Sequence, residues 1–206
     1  MKQILVAVAL VMVGLMPGVS QASTIFSDNF DTRTLSLNHV FTNQWTVSGG
    51  TVDLIGAPGF FDLIPLNGRY VDLDGTSNDA GIMRSDALAL LAGTTYTLTF
   101  DLAGSQRGDD NTMSNYGFDI TGDTTADISG VVLSRLSVDP FSTVTLTYTP
   151  LVNTSARIIF GQVGGDNIGL LLDNVKLSAV PEPASLMLLG AGLAAIGIWR
   201  RKVAAK

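Results

Sequence analysis

Between Thr95 and Asp101 every second residue is polar and every residue between is apolar. Tyr96, Leu98, Phe100 and Leu102 share one face, while Thr95, Thr97, Thr99 and Asp101 share the other. Val144, Leu146 and Tyr148 alternate in the same way with Thr143, Thr145, Thr147 and Thr149. A strict period of two fits a pleated strand with one dry and one wet face and does not fit a helix, whose period is 3.6. One-sided strands of this kind belong to antiparallel sheets packed over a common core. Further strands are predicted at 24–30, 44–48, 51–55, 69–73, 116–121, 157–163 and 169–178, separated by Gly49-Gly50, Pro58-Gly59, Asn67-Gly68, Asp74-Gly75 and Gly164-Gly165-Asp166-Asn167. Ten or so short strands imply an all-β fold, a single antiparallel β-sandwich most simply arranged as a jelly roll. Residues 85–91 fit either one short helix or an edge strand.

Both ends of the chain depart from this pattern. Lys2 is followed by an apolar run from Ile4 to Leu15, then Pro17-Gly18 and the small-residue site Ser20-Gln21-Ala22. That order predicts a signal helix in residues 1–22, cleaved by signal peptidase after Ala22. At the other end Pro181-Glu182-Pro183 precedes an apolar run from Ala184 to Trp199 and a basic tail, 200–206, opened by Arg200 and Arg201. As a helix the 16-residue run 184–199 reaches about 24 Å, short of a hydrocarbon core of about 30 Å. It is expected to act as a brief transmembrane segment, its basic tail cytoplasmic and everything before Val180 outside. The working domain is thus 23–179, and 180–206 is a terminal appendage.

That body carries 7 basic and 17 acidic side chains, all the acids being Asp, for a net charge of −10. Such a surface repels phosphate backbones and argues against nucleic acid as a partner. Asp suits turns and hard cations, so Ca²⁺ is the one metal to look for, and no organic cofactor is expected. The absence of cysteine excludes thiolate sites, and the single histidine, His39, excludes multi-histidine zinc centres. On strand 169–178, simple alternation places Asp173 on the inward face with Leu171, Val175 and Leu177. A buried carboxylate needs compensation. It either shares a structural Ca²⁺ with Asp31 near the first strand or accepts backbone N–H bonds in a strand bulge. Asp119, Asp123 and Asp127 lack EF-hand spacing, and the Arg107-Gly108-Asp109 loop is expected to be solvated. Asp72 and Asp74, on one strand face, imitate a hydrolase pair without demonstrating one.

The tail, from Val180 to about Lys202, resembles the PEP-CTERM sorting signal of Gram-negative bacteria that make extracellular polysaccharide. The resemblance implies processing by an exosortase at Pro181-Glu182-Pro183, transient residence in the inner membrane, and a mature form on the cell surface or in the extracellular matrix. Within the body, the segments 43–54, 68–75, 96–104 and 172–175, including Leu172-Asp173-Asn174-Val175, are similar to choice-of-anchor C type domains. More distantly they are similar to galactose-binding-like jelly rolls, the fold of many carbohydrate-binding modules. This implies a non-catalytic domain that binds or organises extracellular polysaccharide, and it supports Asp173 as a structural calcium ligand. Trp45, Phe60, Phe61 and Tyr70 are the aromatics available for stacking on sugar C–H faces. The alternative is a matrix or surface-layer protein working through protein contacts, with a glycoside hydrolase as a third class.

Overall fold

Thirteen strands are present among the described residues: β1 (Ser23–Asp28), β2 (Trp45–Ser48), β3 (Asp53–Gly56), β4 (Arg69–Asp72), β5 (Ile82–Ser85), β6 (Leu88–Leu90), β7 (Thr95–Ala103), β8 (Asn111–Asp119), β9 (Ile128–Ser129), β10 (Leu133–Arg135), β11 (Ser142–Tyr148), β12 (Thr154–Gln162) and β13 (Leu171–Val180). The computed structural model describes residues 22–59, 61–180 and 192. The expected signal helix, the 184–199 segment and the sorting residues Pro181, Glu182, Pro183, Arg200 and Arg201 lie outside them. No helix among the described residues is long and apolar enough to cross a membrane.

Residues 23–179 form one compact unit. Its first sheet runs β11-β7-β13-β4-β3 with β1 also on β13, and its second runs β10-β8-β12-β5-β2 with β6 on β12 and β9 on β8. Each sheet is organised by one long strand: β4 and β1 both pair with β13, at 171–172 and 175–179. In the second sheet β5 and β6 both pair with β12, at 159–160 and 154–156. The expected antiparallel β-sandwich is therefore present, and residues 85–91 hold the end of β5 and strand β6 (Leu88–Leu90) rather than a helix.

The alternating faces meet between the sheets. Tyr96, Leu98, Phe100 and Leu102 of β7 are buried there with Trp45, Phe118, Ile158, Phe160 and Leu172. Aromatic rings fill the centre: Phe100 packs edge-on against Phe160 at 4.9 Å and Tyr116 at 5.7 Å, and Phe26 packs edge-on against Trp45 at 5.1 Å. With no disulfide to help, this burial, at about 1.5–3 kcal/mol per large apolar side chain, is what stabilises the fold.

A second, smaller core lies on the other face of the first sheet. Ile55, Tyr70, Ala103 and Leu171 are buried there, with Leu63, Ile64 and Phe141 packed against them. The 57–68 loop closes over that face because the Tyr70 hydroxyl accepts the N–H groups of Leu63 (2.6 Å) and Ile64 (2.9 Å). Tyr70 is thereby a core residue.

One strand breaks its own alternation. Asn174 has φ 51°, a left-handed conformation that tolerates Asn better than most residues. Leu172, Val175 and Leu177 all face the main core, whereas Asp173 follows Leu171 to the other side. The expectation that Asp173 shares a face with Val175 and Leu177 is corrected by this kink.

Candidate functional site

The segment between β1 and β2 has no regular structure and is held by Asp28, the last residue of β1. Asp28 Oδ1 accepts the Phe30 N–H at 2.9 Å, and Oδ2 accepts Arg33 Nε at 2.9 Å and Trp45 Nε1 at 2.9 Å. Phe30, fully buried, anchors the segment below. Above, the Arg33 guanidinium donates to Asn43 Oδ1 (3.0 Å) and Gln44 Oε1 (2.8 Å) and lies 5.0 Å from the centre of the Phe41 ring.

Two grooves open on this frame and share Asp28, Thr32 and Gln44. One, of about 430 Å³, is lined by Arg33, Thr34, His39, Val40, Thr42 and Asn43 in addition. The other, of about 470 Å³, adds Ser27, Asn29, Asn174, Val175 and Lys176. His39 stands edge-on to Phe41 at 4.6 Å, and its Nδ1 is 2.6 Å from Ser36 Oγ. Its pKa is lowered, first by burial and then by the Arg33 charge, so the ring is neutral at pH 7. The grooves therefore present planar amides (Asn29, Asn43, Gln44, Asn174), a neutral imidazole and hydroxyls. Asn43 and Gln44 spend their amide oxygens on Arg33, and Asn29 and Asn174 their Nδ2 groups on Asp31 and Asp101, so each amide has one end left that could meet a ligand hydroxyl.

Two of the four candidate stacking residues are not available to a ligand. Trp45 is 2 % exposed and Tyr70 is fully buried, so neither offers a ring face to a sugar. Their neighbours explain why: Trp45 is stacked among Phe26, Phe30 and Phe160, and Tyr70 holds the 57–68 loop. Phe61 is 54 % exposed but lies away from the grooves' lining residues, and Phe60 is outside the described residues. Arg33, His39, Asn43 and Gln44 were not legible as a group. They are single polar residues spread along a loop, joined to Asn174 only by the sheet.

Asp31 and Asp173 do approach each other. Asp173 is buried, its Oδ1 accepts the Asn174 N–H at 2.6 Å, and Asn67 Nδ2 lies 3.3 Å from its Oδ2. Burial, and then the charges of Asp31, Asp101 and Asp28, raise its pKa to about 7. Asp31 accepts the Arg69 N–H at 2.9 Å and Asn29 Nδ2 at 2.9 Å. No group of three or more His, Cys, Asp or Glu side chains among the described residues is arranged for a metal. A hard cation here would draw on Asp31, Asp173 and neutral oxygens, including Asn67 Oδ1 after rotation of its amide. An oxygen-only donor set is of the chemistry that Ca²⁺ takes, though two carboxylates alone fall short of its roughly six to eight ligands.

Most other aspartates serve the fold. Asp127 accepts the N–H groups of Ile120 and Thr121, Asp119 those of Gly122 and, with Arg84, an ion pair, and Asp123 that of Thr125. In the Arg107-Gly108-Asp109 loop Gly108 and Asp109 are exposed as expected, whereas Arg107 is half-buried. Arg107 pairs with the buried Asp72, and Gln106 Nε2 donates to the carbonyls of Ser137 and Asp139 at 2.9 Å. Asp72 has a pKa raised to about 7, chiefly by burial and against the opposing effect of Arg107. Asp72 and Asp74 are both enclosed, Asp74 N–H donating to Asp72 Oδ1 at 3.1 Å, and neither lines the grooves.

Against known proteins, residues 179–202 match the PEP-CTERM protein-sorting motif. This marks the chain for secretion and sorting to the cell envelope or surface. No curated protein sequence matches significantly. Among solved structures, the chain is similar to the N-terminal CBM22-1-CBM22-2 tandem domain of Paenibacillus barcinonensis Xyn10C, with a TM-score of 0.50 and 10% identity over 81% of this chain and 49% of that one. It is also similar to the CBM22-1 xylan-binding domain of the same protein (TM-score 0.48, 10% identity, 80% of this chain and 99% of that one). A cyclase from Fischerella sp. TAU has a TM-score of 0.48 and 20% identity over 78% of this chain and 98% of that one. At these identities the likeness is one of fold, a jelly-roll β-sandwich.

Proposed function

We propose that this chain is an exported envelope protein of a Gram-negative bacterium whose β-sandwich binds extracellular polysaccharide without cleaving it. In this reading signal peptidase and an exosortase process its two ends, and the inner membrane holds it only in transit. The observation that carries it is the joining of a sorting motif at 179–202 to a carbohydrate-binding-type sandwich. The polar grooves around Asn43 and Gln44 supply the ligand chemistry. Hydrogen bonding to hydroxyls by planar amides replaces the aromatic stacking expected from sequence. The non-catalytic reading is supported by Asp72 and Asp173, whose pKa burial raises to about 7, each being engaged by the fold's own donors. Ca²⁺ between Asp31 and Asp173 would be structural, fixing the start of the 28–44 segment.

Co-sedimentation of residues 23–179 with the producing organism's polysaccharide tests this, with unrelated glucans as controls. Saturable, selective retention supports it, and no retention of folded protein in calcium overturns it.

One observation favours the matrix-component alternative. β11 is an edge strand of the first sheet, and its sequence, Ser142–Tyr148, contains neither charge nor proline to block pairing with another chain. Concentration-dependent assembly in sedimentation velocity, suppressed by Thr145→Lys on that edge, would support this second reading.

A further inference from the structure

Two connections close one end of the sandwich, 91–94 between β6 and β7 and 149–153 between β11 and β12. They are clipped together: Gly93 N–H donates to Pro150 O at 2.9 Å, Ala92 N–H to Asn153 Oδ1 at 2.9 Å, and the Thr95 and Thr149 hydroxyls meet at 2.9 Å. The Leu91 N–H is further tied to the Tyr96 hydroxyl at 2.7 Å. This well-bonded tip nevertheless holds large apolar side chains in water, with Leu151 93 %, Val152 70 % and Leu91 58 % exposed. Apolar side chains clustered on a rigid projection mark a surface that meets something apolar.

The fold shows what lies opposite. Asn174 Nδ2 donates to Asp101 Oδ2 at 2.9 Å, and Ala103 and Leu171 share the small core. Hence β7 followed back from Ala103 to Thr95 runs beside β13 followed forward to Val180. Val180 and the 91–94 connection are therefore at the same end. Ser23, the first residue after the expected signal cleavage, pairs with Ala179, so both termini leave the sandwich there. Only Pro181, Glu182 and Pro183 separate Val180 from the apolar run at Ala184, a reach of at most about 14 Å. While the tail is in a membrane, this link keeps that end of the sandwich within about 14 Å of the start of the apolar run.

Charge agrees with that orientation. Residues 87–100 and 140–156, which build the tip and its strands, contain no charged side chain, in a body of net charge −10. The tip is thus a part of an acidic protein that approaches an anionic membrane with little repulsion.

We propose that Leu91, Leu151 and Val152 form a lipid-contacting tip that seats the sandwich on the phospholipid surface before the tail is processed. The contact is interfacial, with the three side chains at the headgroup and acyl boundary. It rests on the sorting tail placing the chain at a membrane and is independent of any glycan.

The chain has no cysteine, so a polarity-sensitive fluorophore can be attached at one chosen site. The full chain carrying Leu151→Cys, labelled with such a probe, is reconstituted in vesicles of phosphatidylethanolamine and phosphatidylglycerol. The control is Val163→Cys, 79 % exposed at the far end of β12. The expected result is blue-shifted emission and quenching by brominated acyl chains at position 151 and neither at position 163. Vesicle flotation with both probes unquenched would overturn the lipid tip alone. A chain that fails to float would overturn the sorting-tail reading and the tip with it. A blue shift at 151 that persists in detergent without lipid and vanishes on dilution would assign the tip to a second copy of the chain instead, and would also overturn the proposal.

Discussion

Replacing Asp173 by Asn should stabilise the body without calcium and destabilise it with calcium. In the folded chain the Asp173 pKa is raised from 3.8 to about 7, by burial and by the charges of Asp31, Asp101 and Asp28. Between those values the folded state binds more protons than the unfolded one, so stability falls as pH rises from about 4 to about 7 and is level above. A shift of about 3 pH units corresponds to about 4 kcal/mol if fully expressed. The effective dielectric of real protein interiors, well above that of dry protein, reduces that to about 1–2 kcal/mol. Asn keeps the acceptor for the Asn174 N–H and removes the charge. In chelator at pH 8, Asp173→Asn should therefore raise the melting temperature of residues 23–179 by about 3–6 °C, given about 2–4 °C per kcal/mol for a domain of this size. At pH 4 the two proteins should melt together. In calcium at about 100 times its dissociation constant, the wild type gains about 2.7 kcal/mol that the variant lacks, and the order reverses. Differential scanning calorimetry under the three conditions checks this. If the wild type melts identically in calcium and in chelator, the ion site is refuted. If Asp173→Asn lowers the chelator melt at pH 8, the argument from charge burial is refuted as well.

Arg107→Met should cost about 3 kcal/mol at pH 8 by leaving Asp72 buried and unpaired, and less at pH 5, where Asp72 is protonated. Asp72→Asn in the same chain should restore most of the loss in urea titrations. Gly68 has φ 71°, and a Cβ there would overlap Asp31 Oδ1. Gly68→Ala should therefore lower stability by about 1–2 kcal/mol and abolish any calcium effect on melting. Trp45→Ala removes the ring between Phe26 and Phe160 and the Asp28 partner. A loss of about 3–5 kcal/mol is expected in denaturant unfolding, whether or not polysaccharide is present.

The sandwich was legible because its strongest strands are one-sided. In β7 and β11 the alternation of Thr with Tyr, Leu, Phe and Val specifies both the period and the buried face. Strands β9 and β10 were not legible, having two and three residues and existing only because β8 offers an edge. The kink at Asn174 was equally hidden, since one residue in a left-handed conformation reverses the faces after it without changing the composition. Whether Trp45 and Tyr70 meet a ligand or the core was also open from their own strands. Their burial depends on Phe30 and the 57–68 loop, both brought in from outside their own strands. The many turn-capping aspartates followed from residue chemistry alone, and the pairing of Asp31 with Asp173 was reasoned from first and last strands that lie together in a jelly roll. The Arg33, His39, Asn43 and Gln44 constellation has no spacing signal, because Asp28 gathers it through tertiary bonds.

The most direct measurement is affinity electrophoresis of residues 23–179 through gels containing the producing organism's polysaccharide, with Asn43→Ala/Gln44→Ala in the adjacent lane. The account predicts wild-type mobility that falls as polysaccharide is added, and a double variant with an unchanged melting temperature that migrates nearly as it does in a plain gel. Equal retardation of both proteins would contradict the assignment of the groove, and free migration of the wild type would contradict polysaccharide binding itself.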